Sequence, residues 1–167
     1  MRIGIIGAGH AGLASAQSIA AENAQPVLFS DQPVLPYYRP RLVEFAMGQI
    51  QLDDMLMHPE TWYSKNSIDL RLRSHIDHIE PHSKTVSTKS YSETFDSLVF
   101  ATGATAVIPP FAQKAPSNLL PLWTYEHAEA IRQRLDKTNE LIIIGAGTIG
   151  IEAALRANDQ GRKVTLI

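Results

Sequence analysis

Apolar residues in this chain come in short runs that stop at glycines. Arg2 to Ile6 is the first run, broken at Gly7, Gly9 and Gly12. Leu13 to Glu22 then carries apolar positions at helical period in good helix formers. The pattern predicts strand, tight turn and helix, and Val27 to Phe29 follows as a second strand ending at Ser30 and Asp31. The same order of signals returns near the C-terminus. An apolar run from Leu141 breaks at Gly145, Gly147 and Gly150, a helical stretch follows, and Val164 to Ile167 forms another run.

Between the two units the signals are weaker. Pro33, Pro36 and Pro40 forbid an ordinary helix before about Arg41. Gln51 to Asn66 reads as helical, with Asp53 or Asp54 in the first turn and Trp62 and Tyr63 on the core side. Ser67 to Ile79 alternates apolar and charged residues and predicts a half-exposed strand; Lys84 to Tyr91 and Glu93 to Ala101 predict a hairpin leading into a buried strand. Residues 104–121, with Pro109, Pro110, Pro116 and Pro121, read as a linker, and Trp123 to Lys137 as a helix capped by Thr124.

The glycine spacing, G-x-G-x-x-G, carries specific chemistry when it follows a strand and opens a helix. Gly7 permits the turn, Gly9 keeps a side chain away from a pyrophosphate, and Gly12 lets the helix pack closely on the strand. The helix start presents N–H groups and a partial positive charge to phosphate. Asp31 lies about where an acid would hold a ribose hydroxyl pair, and the abrupt end of a strand at Ala101-Thr102-Gly103 adds a second place for ligand approach. Two such units in one chain predict two dinucleotides. Arg39 stands in a rigid proline-bounded loop, where its planar guanidinium suits a phosphate or a flavin face, or equally a solvated surface.

Composition narrows the classes. The 167 residues are 44% hydrophobic, enough for a packed core, and a net charge of −2 gives no reason to expect nucleic acid or an anionic membrane. There is no cysteine, which excludes disulfides, thiolate metal sites and thiol catalysis in these residues. His58, His75, His78 and His82 lack the spacing of a metal site, His75 and His78 being placed on opposite faces of the expected strand. The first apolar run is too interrupted for a signal peptide and no run approaches a membrane span, so a cytoplasmic protein is expected.

The order GAGHAG, FSD, PYYRPRL, FDSLVFATGA, a proline-rich crossover and IIIGAGTIGIEAA resembles the FAD-dependent pyridine nucleotide oxidoreductases. Within them it is most similar to the rubredoxin reductases and the flavin subunits of ferredoxin and nitrite reductases. The resemblance implies an α/β, Rossmann-like, doubly wound FAD-binding domain in three layers over residues 1–110, incomplete, and the start of a second Rossmann unit for NAD(P)H over 111–167. It implies that Gly7, Ala8, Gly9, His10, Ala11 and Gly12 hold the FAD pyrophosphate and that Ser30 or Asp31 meets the adenosine ribose. Arg39 and Pro40 would lie against the FAD, Ile76 would be the strand position whose backbone reads the adenine, and Ala101, Thr102 and Gly103 would approach the cofactor closely. Gly145, Gly147, Thr148, Ile149 and Gly150 would begin the NAD(P)H site, with Glu152 near flavin and nicotinamide.

Departures from the family pattern sharpen the expectation. Without a redox cysteine, electrons would leave the flavin directly, toward a small carrier of rubredoxin or ferredoxin type. Glu44 stands where related reductases carry a lysine paired with the second-motif glutamate, so two acids replace an ion pair. The pattern breaks off before the NAD(P)H domain is complete. The chain is therefore expected to be an N-terminal fragment whose open sheet a neighbouring chain would complete. A module that only binds a nucleotide, and a nitrite reductase flavin subunit, are the alternatives.

Overall fold

A computed structural model describes residues 1–112 and 119–167; the part of the expected proline linker at 113–118 lies outside the described residues. In chain order the strands and helices are β1 Arg2–Ile6, α1 His10–Ala21, β2 Gln25–Phe29, α2 Leu42–Ala46, α3 Glu60–Lys65, β3 Asp69–Arg71, β4 His78–Glu80, β5 Thr85–Ser87, β6 Ser92–Thr94, β7 Ser97–Phe100, α4 Tyr125–Leu135, β8 Glu140–Ile143, α5 Thr148–Asp159 and β9 Lys163–Leu166. Two compact units form, Met1–Tyr37 with Leu56–Ala104 and Tyr38–Met55 with Thr105–Ile167.

The first unit is a three-layer α/β structure. Its central sheet has the order β3-β2-β1-β7, with every pairing parallel. Strand side chains alternate between faces, so the sheet divides its apolar residues into two cores. On one face Ile3, Ile5 and Leu28 pack with Leu13 and Ala16 of α1 and with Tyr63 and Ile68. On the other, Ile6, Val27 and Phe29 pack with Val86 and Phe95 from the β4-β5-β6 antiparallel sheet and its approach to β7. Gly4 makes this second face possible, because a Cβ there would stand 2.9 Å from side-chain atoms of both Leu98 and Phe95. The Tyr63 hydroxyl is buried without a hydrogen-bond partner among the described residues, and burial pushes the phenol up to about 12.

A charged seam closes the second face. Glu93 receives Arg71 Nη1 at 2.5 Å and pairs also with Arg2, while the two guanidiniums lie over Phe29 and Phe95, whose rings meet edge to face at 5.9 Å. Burial raises the Glu93 carboxyl, but hydrogen bonds from Arg71 and Arg2 outweigh it and hold the group below its ordinary value of 4.5. A folded-state value below the unfolded one stabilises fully above about that pH and loses its contribution as the pH falls through the folded value. Glu93→Gln is thus expected to cost about 1–2 kcal/mol at pH 7 and to lose less stability than the unaltered protein on acidification, read by urea unfolding at both pH values. Parallel acid profiles for the two proteins would overturn this assignment.

The structure differs from several sequence expectations. Helix α1 begins at His10 rather than Leu13, with Gly9 as its N-cap, so Gly12 lies inside the helix. Residues 51–66 are not one helix: a single 3-10 turn at Asp53–Met55 is followed by loop, and α3 starts only after Pro59, which sits at its N-cap. Residues 67–79 are not one strand. Left-handed backbone at Ser67 and Arg73 brackets the three-residue β3 before and after, leaving His75 and Ile76 in the loop before β4. Strand β7 is a half-buried edge rather than a buried strand, with Phe100 58% exposed.

The second unit joins the short α2 to α4, α5 and the parallel pair β8-β9. Val43 and Met47 pack with Leu135, Ala153 and Ala157, flanked by Ile131, Leu141 and Val164. Helix α4 starts at a capping box: Thr124 Oγ1 accepts the His127 N–H, and His127 Nδ1 accepts the Thr124 N–H, both at 3.3 Å. Arg162 donates to the carbonyls of Leu135, the last residue of α4, and of Thr138 just beyond it, a placement that suits a helix C-terminus. Residues 38–55 thus belong with this unit, and the units do not follow a single cut in the sequence.

Candidate functional site

The loop after β1 is built around the oxygen of one residue and the missing side chain of another. Gly7 adopts φ +102, a left-handed conformation that favours glycine, and its N–H donates to Phe29 O at 3.0 Å across to β2. A Cβ at Gly7 would lie 2.2 Å from Ala101 O, and one at Gly12 would lie 1.9 Å from Gly7 O. Gly7 and Gly12 therefore serve the packing of strand, helix and the Ala101-Thr102 backbone. Gly9 is different. Its backbone is extended, φ −76 and ψ −169, and an added Cβ would meet nothing within 4 Å. The chain leaves space there that no packing requires. Beside it begins a twelve-residue helix whose N-cap offers no side-chain hydrogen bond. Backbone N–H groups and the helix dipole next to an open cradle suit a pyrophosphate, so these residues fit a dinucleotide.

The surrounding expected residues are placed as follows. Ala8 packs against the α1-side core, while His10 and Ala11 are exposed in the first turn. Ala101 is drawn to the loop by its N–H bond to Ile6 O at 2.8 Å, and Gly103 follows with φ +70 and open space around its Cα. At the end of β2, Ser30 is 5% exposed and its Oγ accepts the Gln32 N–H at 3.2 Å. Asp31 beside it is exposed, with Oδ1 accepting from Gln32 Nε2 at 3.2 Å. Of the two, Asp31 presents the accessible carboxylate. Ile76 does not stand on a strand; it is half-buried against the second-face core. Arg39 lies in the second unit, its guanidinium 4.7 Å from the Trp123 ring centroid, followed by exposed Pro40.

The second loop repeats the first nearly angle for angle. Gly145 has φ +110, and its N–H donates to Ile167 O at 2.8 Å, as Gly7 does to the second strand of its own unit. Gly147 caps α5 in extended backbone, φ −78 and ψ −178, again with nothing within 4 Å of an added Cβ. A Cβ at Gly150 would stand 1.9 Å from Gly145 O, the distance found for Gly12 and Gly7. Thr148 and Ile149 open α5, both exposed.

Glu152 lies one turn further and meets a cation that sequence reasoning missed. Arg156 Nε donates to Glu152 Oε1 at 2.8 Å and Nη2 to Glu44 Oε1 at 3.1 Å. Glu44 is held in turn by Arg41 Nε at 2.8 Å. The two acids expected to replace an ion pair are therefore bridged, because the helix that carries Glu152 also carries an arginine four residues on. That i,i+4 pair was available in the sequence; its third partner was not.

The family model described as pyridine nucleotide-disulphide oxidoreductase matches residues 1–167. The chain is 30% identical over 168 residues to an NADH-rubredoxin oxidoreductase of Clostridium acetobutylicum, covering 99% of this chain and 43% of that protein. It is 32% identical over 171 residues to a rubredoxin-NAD(+) reductase of Pseudomonas putida, covering all of this chain and 44% of that one. Among solved structures, a ferredoxin reductase from Rhodopseudomonas palustris superposes with a TM-score of 0.89 at 28% identity, over 99% of this chain and 42% of the other. The chain thus spans less than half the length of the relatives it matches. Among the described residues no helix is long and apolar enough to cross a membrane.

Proposed function

Because the chain belongs to the pyridine nucleotide-disulphide oxidoreductases, we propose that it is the N-terminal part of an FAD-dependent NAD(P)H oxidoreductase that passes electrons to a small redox carrier of rubredoxin or ferredoxin type. The observation that carries this reading is the repeated glycine loop, with nearly the same backbone angles, the same close contact and the same open cradle at Gly9 and Gly147. Two built dinucleotide cradles on one chain call for two dinucleotides. The names of the relatives above, and a solved complex of putidaredoxin reductase with putidaredoxin at 28% identity and a TM-score of 0.83, support the choice of acceptor class.

On this reading residues 1–110 contribute to FAD binding and 111–167 begin the NAD(P)H site. The Gly7–Gly12 backbone and the α1 N-terminus bind the FAD pyrophosphate, Asp31 takes the ribose hydroxyls, and Ala101, Thr102 and Gly103 bring backbone close to the cofactor. Arg39, Pro40 and Ile76 are carried as contacts by the family resemblance alone. Gly145, Gly147, Thr148, Ile149 and Gly150 bind the second dinucleotide, and Glu152 orients groups beside it. FAD, when bound, supplies a two-electron acceptor for hydride and a route for single electrons onward. These 167 residues contain no cysteine, so they offer no thiol relay for those electrons. A cytoplasmic location goes with this reading, since reduced nicotinamide is a cytoplasmic reductant.

The test is an absorbance spectrum of the purified chain after mixing with excess FAD and desalting, followed by NAD(P)H addition to the complete flavoprotein. Retained bands at roughly 370 and 450 nm, bleached by NAD(P)H in the complete protein, are expected. A complete protein that retains FAD but is not bleached by either nicotinamide would favour a nucleotide-binding module over a reductase.

A further inference from the structure

Arg156 ties α5 to Glu44 and Gln49 through its side chain, beside the apolar contact of Ala153 and Ala157 with Met47, and every nitrogen of its guanidinium is occupied. Nε binds Glu152 Oε1 at 2.8 Å, Nη2 binds Glu44 Oε1 at 3.1 Å, and Nη1 binds Gln49 Oε1. Glu44 Oε2 accepts Arg41 Nε at 2.8 Å, and Arg41 reaches on to the Asp54 carbonyl. An isolated i,i+4 ion pair on a helix surface contributes little. A planar guanidinium fixed by three partners from two segments is a different object, because its fork holds each partner in direction as well as distance. Glu152 and Arg156 also line one shallow groove along α5 together with Thr148, the first residue after the open Gly147 cradle.

We infer that Arg156 is a positioning residue of the second dinucleotide site, aiming the Glu152 carboxylate along the groove that begins at Thr148 and tying residues 44–49 to it. This rests on the reading that α5 opens a nicotinamide dinucleotide site. Arg156 lies between two carboxylates that no other described contact joins. Its removal leaves Glu44 and Glu152 facing each other without a shared cation, and repulsion turns Glu152 out of place. A simple staple between segments predicts something else, namely that removing Glu44 as well makes matters worse.

The test compares Arg156→Gln, Arg156→Lys and the double variant Glu44→Gln with Arg156→Gln in the complete flavoprotein. The probes are tetrahydro-NADH and tetrahydro-NADPH, which bind without donating hydride, and flavin content is measured alongside. Arg156→Gln is expected to weaken binding of the preferred analogue about tenfold at unchanged flavin content, the size of a typical coupling in a linked charge network. Arg156→Lys is expected to retain part of the affinity, and the double variant to recover about threefold of the loss. Unchanged affinity in Arg156→Gln, or a deeper loss in the double variant, would overturn the inference. An unaltered flavoprotein that binds neither analogue would sink the reading of α5 itself and the inference with it, an outcome distinct from tight binding that is indifferent to Arg156.

Discussion

Gly9→Ala is expected to leave the fold intact and to cut FAD affinity by on the order of 100-fold. The backbone at Gly9 is extended, so any residue can adopt it, and the new methyl meets no atom within 4 Å. The cost to folding is then only that of exchanging glycine for alanine at a helix N-cap, below about 1 kcal/mol. The same methyl occupies the space over the α1 N-terminus where the proposed function places the pyrophosphate. Losing one or two charge-assisted hydrogen bonds there, at about 1.5–3 kcal/mol each, gives a factor of that size. Thermal unfolding followed by circular dichroism would show the intact fold, and a flavin fluorescence titration the weakened binding. A variant that binds FAD as tightly as the unaltered protein would show that the cofactor does not cross Gly9.

Gly12→Ala is expected to do the opposite, destabilising the first unit whether or not cofactor is present. A Cβ at Gly12 would sit 1.9 Å from Gly7 O and 3.4 Å from Ala101 Cβ. Neither backbone oxygen nor helix can yield without opening the packing of α1 on β1, where Ile3, Ile5, Leu13 and Ala16 form the core. Overpacking of this kind against backbone costs more than about 3 kcal/mol, a large part of the roughly 5–15 kcal/mol that holds a domain. Urea unfolding of the chain would read it directly. The pair separates two positions of one motif: a side chain at Gly12 meets the protein's own backbone, and one at Gly9 meets only open space, where the proposed function puts the ligand. Wild-type stability in Gly12→Ala would refute the close contact on which that distinction stands.

What can be read in the sequence follows the range of the interactions involved. The turn and cap of both glycine loops are legible because the close contacts of Gly12 with Gly7 and of Gly150 with Gly145 lie within six positions, whereas the contact of Gly7 with Ala101 does not. Thr124 as an N-cap is legible for the same reason. The span 51–66 misleads because Pro59 allows a helix after it but not through it, and α3 is a short helix fixed by tertiary packing of Tyr63 rather than by its own periodicity. The strand expected over 67–79 carries the right alternation, but Ser67 and Arg73 take positive φ, which residue type alone does not announce. Ser30 and Asp31 differ in burial, which residue type alone does not announce: Ser30 is 5% exposed at the end of β2, whereas Asp31 is exposed. The bridging of Glu44 and Glu152 is not legible either, because Arg156 and Glu44 are 112 residues apart and no local pattern joins them.

One of the two neighbours of β1 in the central sheet is β7, that sheet's last strand in chain order, Ile3 pairing with Ser97. At ribosomal speed, roughly 5 to 20 seconds pass between the synthesis of these partners. During that interval β1 and β2 can pair and α1 can cover one face, but the β1 edge stays open to other nascent chains. The Ala101-Thr102 backbone that closes on Gly7 arrives only with β7. The first cradle is therefore finished late in synthesis, closed by a strand made long after the glycines themselves.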